Sequence, residues 1–287
     1  MNIARTGIIG GSGLYDLEGL EVLDRLAIET PYGSPSDELL LARLHGREVV
    51  FLPRHGRGHR IPPHRINYRA NIYAMKLAGV GRILSVSAVG SLREEIAPGD
   101  FVLVDQFVDR THGRASSFFD GPVVAHVSMA DPVCGSLRDS LAEAAAAESI
   151  PMHAAGTYLA MQGPQFSSRA ESNLYRSWGM DVIGMTNMPE AKLAREAEIC
   201  YATVAMSTDY DCWHEEEEAV SVTSVIEVMQ ANVEKAKRLL NRWLQASGDD
   251  STACSCHQAL EHGIFSDLKS QTDEALRPIH ALVERFL

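Results

Sequence analysis

The stretch Ile199-Cys-Tyr-Ala-Thr-Val-Ala-Met206 is an apolar run typical of a buried β-strand, and it continues directly into Ser207-Thr-Asp-Tyr-Asp-Cys212. Because strand side chains alternate between faces, an extended continuation would point Asp209 and Asp211 the same way. Two carboxylates that close raise the pKa of at least one of them, which allows a carboxyl group to donate a proton near neutral pH. The alternative is a solvated turn or a helix N-cap ahead of the acidic residues 215–218.

Similar β-rich runs alternate with helical patterns along the whole chain. Strands are predicted at residues 6–9, 48–52, 82–88, 101–108, 157–161, 181–185 and 199–206. Helices are predicted at residues 67–78, 136–148, 169–178, 189–198 and 223–245. Apolar strands between helices are typical of an α/β protein with a mixed, largely buried central β-sheet flanked by helices. We expect a single domain over residues 1–287, with a C-terminal extension from about residue 246 to 287 that docks as a helix.

The composition argues against nucleic acid and membranes as partners. The 287 residues carry a formal net charge of -12 at pH 7, whereas nucleic acids and anionic membranes bind clusters of Lys and Arg. No apolar run approaches the roughly 18 to 20 residues of a membrane-spanning helix. The first residues, Met1-Asn-Ile-Ala-Arg5, lead into a strand and do not resemble a signal peptide. The sequence therefore predicts a cytoplasmic protein.

The five cysteines show no repeated metal-ligand spacing, so the sequence predicts thiols and no metal site. The pair Cys254-Ser-Cys256 is the exception, since a Cys-x-Cys pair can close a strained disulfide or help to bind a metal. Free surface thiols are the favoured interpretation in a reducing cytosol.

Several strand ends carry side chains suited to an anion. Gly10-Gly-Ser-Gly13 follows the first strand and can present backbone N–H groups and Ser12 to an oxyanion, although it can also be only a tight turn. Arg54 and His55 follow the second strand, where open α/β sheets place ligands. The alternative for these two residues is a solvated basic loop.

Small residues, two of them with a hydroxyl group, lie at the ends of two further strands. Ser87 and Ala88 end the strand over residues 82–88, and Thr186 follows the strand over residues 181–185. Together with Arg54 and His55 they indicate a dispersed phosphate site that needs no metal. Phe166, in the loop after another strand, can stack on a planar base or simply pack into the core.

The segments that carry a family resemblance are Gly7-Ile-Ile-Gly-Gly-Ser-Gly13, Thr30-Pro-Tyr-Gly33, Arg54-His-Gly56, Asn67-Tyr-Arg-Ala-Asn71, Gly90-Ser-Leu-Arg-Glu-Glu95, Pro98-Gly-Asp100, Asp105-Gln-Phe107, Gln162-Gly-Pro164, Phe166-Ser-Ser-Arg-Ala-Glu171, Met185-Thr186 and Thr208-Asp-Tyr-Asp-Cys-Trp213. In this order they resemble the S-methyl-5'-thioadenosine phosphorylases of the purine nucleoside phosphorylase superfamily, over roughly residues 5–245.

The resemblance implies phosphorolysis of methylthioadenosine to adenine and 5-methylthioribose 1-phosphate without a cofactor, since inorganic phosphate is a co-substrate. It implies that phosphate is held by Ser12, Arg54, His55, Ser87, Ala88 and Thr186. It implies that the base and ribose are lined by Phe166, Ser167 and Met185, with Asp209 as the acid at N7 and Asp211 facing the 6-amino group. It further implies that Val222 and Val225 line the methylthio pocket and that His126 reaches in from a neighbouring subunit of a homotrimer.

Some positions depart from the family pattern, and other functions stay open. Ser12 and Ser87 stand where many relatives have Thr, and Gln165 stands where close relatives often have Arg. One alternative is a purine nucleoside phosphorylase of broader or 6-oxopurine specificity. Another is a non-catalytic nucleoside-binding protein on the same scaffold.

Overall fold

A computed structural model describes residues 5–214, 222–246 and 254–287, apart from the side chains of Ser12 and of residues 222–226. In this part of the chain eleven strands form one sheet. The strands are β1 (Arg5–Gly10), β2 (Glu21–Leu26), β3 (Leu39–Leu44), β4 (Arg47–Pro53), β5 (Val80–Ser91), β6 (Phe101–Leu103), β7 (Gln106–Asp109), β8 (Met152–His153), β9 (Thr157–Ala160), β10 (Val182–Gly184) and β11 (Cys200–Asp209). The helices are α1 (Tyr68–Leu77), α2 (Gly135–Ala147), α3 (Arg169–Ser177), α4 (Asn187–Glu196), α5 (Val222–Ala246), α6 (Asp273–Leu276) and α7 (His280–Val283).

The sheet is mixed, and its centre is parallel. β5 pairs in parallel with β1 on one edge and with β11 on the other, and β4 pairs in parallel with β1. The strand order is β2-β3-β4-β1-β5-β10-β9-β7, while β11, β6 and β8 continue from the other edge of β5. β2 and β3 add antiparallel strands beside β4. The predicted α/β fold with a mixed central sheet flanked by helices is confirmed.

The sheet is buried on both faces because side chains of its central strands alternate between two helical layers. Ile9 of β1 lies in one core cluster with Leu193 of α4. Its neighbour Ile8 lies in the other cluster, with Leu141 of α2 and Leu240 of α5. With helices on both faces, the ends of the strands are the expected place for a ligand.

The predicted helices agree with α1 to α5 to within two residues at each end. Asn67 caps α1 by accepting a hydrogen bond from the Ala70 N–H, and Ser168 and Glu171 form the capping box of α3. These side chains satisfy backbone N–H groups that have no partner inside the helix, so they fix where each helix begins. Within the described residues, no helix combines the length and the apolar character needed to cross a membrane.

The strand predictions need correction in two respects. The run over residues 101–108 is divided into β6 and β7, because the chain moves from β11, which pairs with β6, to β9, which pairs with β7. The sequence prediction also omits β2, β3 and β8. The side chains of β2 are mostly exposed, so this strand lacks the apolar run that marks the buried strands.

The C-terminal residues 254–287 pack against the core, but they do not form one docking helix. The buried apolar residues of this segment include Leu260, Leu268, Leu276, Ile279, Leu282 and Val283. Pro278 follows closely on α6, and a proline cannot donate the backbone hydrogen bond that a continuing helix needs. The segment therefore forms α6, α7 and short 3-10 turns. Residues 247–253, most of the predicted linker, lie outside the described residues.

Four of the five cysteines lie together. The sulfur atoms of Cys134, Cys200, Cys254 and Cys256 are all within 4.8 Å of one another, whereas Cys212 belongs to the turn after β11. Cys256 is buried and Cys254 is half-buried, so the prediction of surface thiols at these two positions is wrong. Spacing along the chain does not reveal the cluster because its members come from three distant segments.

Candidate active site

The strand order opens a gap along one edge of β5. β1 pairs with this edge only as far as Ser85, and β10 takes over the same edge at Gly90. Within the gap Ala88 is exposed, although the residues on either side of it are buried. β1 and β10 therefore diverge around a crevice beside the carboxyl end of β5. This is the kind of position at which open α/β sheets bind ligands.

The two carboxylates after β11 are brought together by a turn. β11 ends at Asp209, after a register shift opposite Val89 and Gly90 of β5. Asp211 has a left-handed φ of 53°, so the extended continuation that would align the two side chains is wrong. Instead, the Asp211 backbone N–H donates to Asp209 Oδ1 over 2.8 Å. An aspartate in a turn commonly accepts this bond from the residue two positions later.

Asp209 is held from two further sides. The Thr208 hydroxyl donates to Asp209 Oδ2 over 2.7 Å. On the β5 side, a Cβ added at Gly90 would lie 3.0 Å from Asp209 Oδ1 and 3.3 Å from Asp211 Cβ. The glycine thus allows the carboxylate pair to approach the end of β5 closely.

Ser172 of α3 fixes the second carboxylate. Its hydroxyl donates to Asp211 Oδ2 over 2.7 Å. Burial raises the pKa of Asp211, the Ser172 hydrogen bond opposes that rise, and the neighbouring Asp209 carboxylate adds to it. The raised pKa expected for one member of the pair is therefore found at Asp211. Sequence reasoning missed Ser172, whose only signal is its place one turn after the N-cap residue Ser168.

Arg54 is buried beneath the gap and paired with Glu190 of α4. The Arg54 Nε donates to Glu190 Oε2 over 2.8 Å, and Nη2 donates to Glu190 Oε1 over 3.0 Å. Nη2 also donates to Ser85 Oγ over 2.6 Å, and Nη1 donates to the Val86 carbonyl over 3.0 Å. Burial alone would lower the pKa of Arg54, but the Glu190 carboxylate outweighs it and holds the pKa above its usual range. The alternative of a solvated loop cation is wrong for Arg54.

This pairing limits what Arg54 can offer a ligand. A guanidinium has five N–H groups, and among the described residues only one hydrogen, on Nη1, is left without an acceptor. A two-point clamp on a phosphate is therefore excluded in this arrangement. Sequence reasoning missed Glu190, which is fully buried and whose signal is a carboxylate in the first turn of a helix packed on the sheet.

His55 presents one ring nitrogen to the same region. Its Nδ1 lies 2.8 Å from the Ile61 carbonyl, which can only accept, so Nδ1 carries the proton and Nε2 remains for a ligand. The ring stacks on His59 with 4.1 Å between ring centroids. Burial lowers the pKa of His55 to about 4. The imidazole is therefore neutral at pH 7, and an adjacent phosphate dianion would favour its protonation.

The hydroxyls predicted for the phosphate site lie together at the gap. Ser87 Oγ and Thr186 Oγ1 are 3.3 Å apart, and both residues are buried. Thr186 is the residue before the first turn of α4. The Arg54 backbone N–H donates to the Gly10 carbonyl over 3.0 Å, which joins the glycine turn to the same region. The side chain of Ser12 lies outside the described residues.

The loop after β9 borders the gap on the side of the two aspartates. The Cys212 thiol donates to the Ser167 carbonyl over 3.3 Å, which attaches this loop to the turn of the two aspartates. A Cβ added at Gly163 would lie 2.5 Å from Met185 Sδ, so loop and methionine are in close contact. Phe166 is 83% exposed. It is therefore not packed in the core of this chain, and its ring is open to a ligand or to another subunit.

Arg114, which the sequence does not single out, connects the loops of this side. Its Nη1 donates to the carbonyls of Met185 and Met188 over 2.7 and 2.6 Å, and its Nη2 donates to the Gln162 carbonyl over 2.7 Å. A single arginine in a loop has no local pattern that would predict this role. It fixes the strand end that carries Met185 relative to the loop that carries Phe166.

Three predicted residues are not placed at the gap by this chain. His126 is exposed, and its ring packs edge-on against Phe265 with centroids 5.2 Å apart. The His126 backbone N–H donates to the carbonyl of Gly263, in the C-terminal segment, over 2.8 Å. Val222 and Val225 lie at the start of α5, and their side chains are outside the described residues.

Comparison with known proteins shows the family of the chain. Residues 5–245 match the family model of the phosphorylase superfamily. The S-methyl-5'-thioadenosine phosphorylase of Geobacter sulfurreducens is 54% identical over 274 residues, which cover 94% of this chain and 96% of that protein. That of Thermofilum pendens is 52% identical over 92% of this chain and 100% of its own length.

Solved structures show the same relationship. The crystal structure of a methylthioadenosine phosphorylase sourced from an antarctic soil metagenomic library has a TM-score of 0.93 and 47% identity, covering 98% of this chain and 99% of that one. The methylthioadenosine phosphorylase from Schistosoma mansoni in complex with adenine has a TM-score of 0.84 and 36% identity, covering 91% and 99%. The chain belongs to the phosphorylase superfamily and, within it, to the S-methyl-5'-thioadenosine phosphorylase family.

Proposed function

We propose that this chain catalyses the reaction of S-methyl-5'-thioadenosine with phosphate, giving adenine and 5-methylthioribose 1-phosphate. The observation that carries the proposal is that the carboxylate turn of Asp209 and Asp211 lies against Gly90 of β5, while Ser87 of the same strand meets the Thr186 hydroxyl at the other end of the gap. One side of the gap thus offers carboxylates for a base, and the other offers donors for an oxyanion.

The base is assigned to the carboxylate side. Asp211 Oδ2 accepts from Ser172, and we assign the other oxygen, Oδ1, to the 6-amino group of adenine as an acceptor. A 6-oxo group would meet this acceptor with a second acceptor, which disfavours hypoxanthine. Asp209 lies beside Asp211 and is assigned to N7, where it supplies the proton that adenine needs to leave as a neutral base. Asp209 Oδ2 can hold this proton when the Thr208 hydroxyl donates to the Val89 carbonyl, 3.2 Å away, instead of to Oδ2. Phe166, Ser167 and Met185 line the base and ribose.

The phosphate is assigned to the opposite side. Ser12, Ser87 and Thr186 donate hydroxyl hydrogen bonds, the backbone at Ala88 borders the site, Arg54 contributes its remaining Nη1 hydrogen, and His55 contributes Nε2. Breaking the glycosidic bond leaves positive charge on the ribosyl group, so a phosphate dianion held next to it stabilises that charge and then attacks C1'. Phosphate is a co-substrate, and the mechanism uses no cofactor.

The 5' end of the nucleoside is assigned to the start of α5. Val222 and Val225 would line an apolar pocket there that accepts a methylthio group and disfavours a hydroxyl or phosphate. We further propose that the enzyme works in the cytoplasm.

A base-release assay tests the function. Methylthioadenosine, adenosine and inosine are each incubated with and without phosphate, and the free base is measured. We expect adenine from methylthioadenosine only when phosphate is present, with one 5-methylthioribose 1-phosphate per adenine. Release without phosphate would indicate a hydrolase, preference for inosine a 6-oxopurine phosphorylase, and binding without release a nucleoside-binding protein.

We also propose a homotrimer in which His126 reaches the site of a neighbouring subunit. Support comes from an exposed surface formed by Val124, His126 and Phe265, of which Val124 is 44% and Phe265 72% exposed. The surface is held by a β-bridge between Ala125 and Ile264 and by the hydrogen bond from the Phe265 N–H to the Val124 carbonyl. An ordered surface with exposed apolar side chains is typical of a subunit contact.

A further inference from the structure

The four-cysteine cluster has the dimensions of a tetrahedral thiolate site. The sulfurs of Cys134, Cys200, Cys254 and Cys256 lie within 4.8 Å of one another, and those of Cys134 and Cys254 are 3.5 Å apart. Zinc bound to four thiolates has Zn–S bonds of about 2.3 Å, which separates the sulfurs by roughly 3.8 Å. The cluster therefore needs only small side-chain adjustments to enclose such an ion.

The backbone that carries these cysteines is fixed independently of the cluster. Cys134 precedes the first turn of α2, and its N–H donates to the Tyr201 carbonyl over 2.8 Å, which ties it to the start of β11 beside Cys200. Cys254 and Cys256 belong to a 3-10 turn in which the His257 N–H donates to the Cys254 carbonyl over 3.0 Å. Ligands on ordered backbone are a condition for a well-defined metal site.

Polar groups around the cluster are suited to a negatively charged centre. The Arg195 Nη1 donates to Cys256 Sγ over 3.6 Å, and the Ser136 hydroxyl lies 3.3 Å from Cys134 Sγ. His257 Nε2 lies 3.7 Å from Cys200 Sγ, while its Nδ1 is held by the Glu198 carbonyl at 2.9 Å. Four thiolates around zinc carry a net charge of −2, which the Arg195 guanidinium and the Ser136 hydroxyl stabilise as donors. The His257 Nε2 is an acceptor in this tautomer and does not add to them.

We propose that Cys134, Cys200, Cys254 and Cys256 bind one zinc ion as a structural site. Three of the four cysteines are buried, and a closed set of four protein ligands leaves no position for a substrate, as in other structural zinc sites. The ion would join three distant segments: the start of α2, the start of β11 and the C-terminal segment. It would therefore hold residues 254–287 on the core, apart from the reaction at the β5 gap.

Metal analysis of the purified chain tests this site. After dialysis against metal-free buffer, elemental analysis should find one zinc per chain in the wild type and in Cys212→Ser, the matched control that removes the cysteine outside the cluster. The double variant Cys254→Ser/Cys256→Ser should retain almost no zinc. Equal zinc content in both variants, or iron in place of zinc, would overturn the proposal.

Cobalt substitution tests the four-cysteine metal site in the wild type, so it remains informative even if the double variant fails to fold. Refolding the wild type with Co(II) should give the intense visible d–d bands and sulfur-to-cobalt charge transfer of a tetrahedral thiolate site. In the denatured, chelator-treated protein, all five cysteines should react with a thiol reagent without prior reduction. Fewer reactive thiols would mean that the cluster forms disulfides, and five thiols without zinc or cobalt uptake would mean a thiol cluster only.

Discussion

Gly90 sets how closely the carboxylate pair can approach the end of β5. Because an added Cβ would lie 3.0 Å from Asp209 Oδ1, Gly90→Ala should displace Asp209 by a fraction of an ångström or more. We expect kcat/KM for methylthioadenosine to fall on the order of 10²-fold, as misplaced catalytic groups do. The measurement is steady-state adenine release, with circular dichroism to show that the fold is retained.

Gly121→Ala is the matched control for this substitution, since a Cβ at Gly121 meets nothing within 4 Å. It should leave kcat/KM at the wild-type value. Full activity in Gly90→Ala would mean that the turn is not held against β5 as described.

Because its pKa is lowered in the folded chain, His55 should reduce the stability of the protein in mild acid. Its pKa is about 4 in the folded chain against 6.5 for the ordinary value, so between these pH values the unfolded state binds the proton and the folded state does not. The free energy of unfolding should therefore decrease as pH falls from 6.5 towards 4. In His55→Asn this contribution should be missing, so its unfolding temperature should fall less over the same range.

The comparison is made by thermal unfolding in phosphate-free buffer, because a bound anion would change the protonation of His55. The exposed His262→Asn variant should follow the wild-type curve. Parallel curves for wild type and His55→Asn would contradict a neutral, half-buried His55.

The residues of the site differ in how far the sequence could reveal them. Asp209 and Asp211 are conspicuous as a pair, but the turn that joins them could not be predicted, since it depends on the register shift against β5 and on a left-handed φ at Asp211. Glu190, Arg114 and Ser172 have no local motif. Their roles come from contacts across the sequence, such as the bonds from Arg54 to Glu190.

At the scale of elements, the pair of Arg54 and Glu190 ties the end of β4 to α4. Arg54→Ala should leave the fully buried Glu190 without its counter-charge, at a cost of about 3–5 kcal/mol of unfolding free energy. The Michaelis constant for phosphate should also rise, since a hydrogen bond from a charged group contributes roughly 1.5–3 kcal/mol. Denaturant unfolding at a fixed chain concentration and phosphate saturation curves are the measurements.

Arg65→Ala is the control, because it removes the same charge from the same connection between β4 and α1, but Arg65 is exposed at the surface. It should change both quantities little. In a double-mutant cycle, Arg54→Ala/Glu190→Ala should cost clearly less than the sum of the single variants. Additive costs would show that the two residues do not act as a pair.

Elements with strong local signals mostly follow from the sequence. The caps at Asn67 and Ser168 mark helix starts, and apolar runs mark most of the buried strands, but β3 carries such a run and is still missing from the prediction. The exposed β2 and the division of residues 101–108 into β6 and β7 depend on which strand lies alongside, which is not a local property.

At the scale of the whole molecule, the surface of Val124, His126 and Phe265 should carry the subunit contact. Phe265→Asp places a charge in that contact, so the protein should dissociate and lose activity on dilution. Light scattering of the wild type should give three chain masses. The control variant is Leu174→Asp, which places a charge at an exposed apolar position on α3. It tests whether any new surface charge causes dissociation and loss of activity on dilution. A wild-type monomer with full activity would contradict the trimer.

The cysteine cluster could not be predicted from spacing because it depends on how the whole chain folds. Cys134, Cys200 and the pair at 254 and 256 are separated by more than fifty residues along the chain, and only the docking of the C-terminal segment brings them together. The α/β class, by contrast, follows from alternating patterns that each element carries by itself.

The roles of the two carboxylates are best separated by the base preference of the two aspartate variants. The measurement is kcat and kcat/KM for methylthioadenosine and for methylthioinosine, in the wild type and in the variants Asp209→Asn and Asp211→Asn. Asp209→Asn cannot deliver a proton, so its kcat should fall by about 10²- to 10⁴-fold with both substrates.

Asp211→Asn can donate to a 6-oxo group, so the preference for methylthioadenosine should shift towards methylthioinosine by roughly 1 to 3 kcal/mol. The two variants should therefore differ in kind. If both lose turnover equally while the ratio between the two substrates stays unchanged, the assignment of Asp209 to N7 and Asp211 to the 6-amino group is wrong.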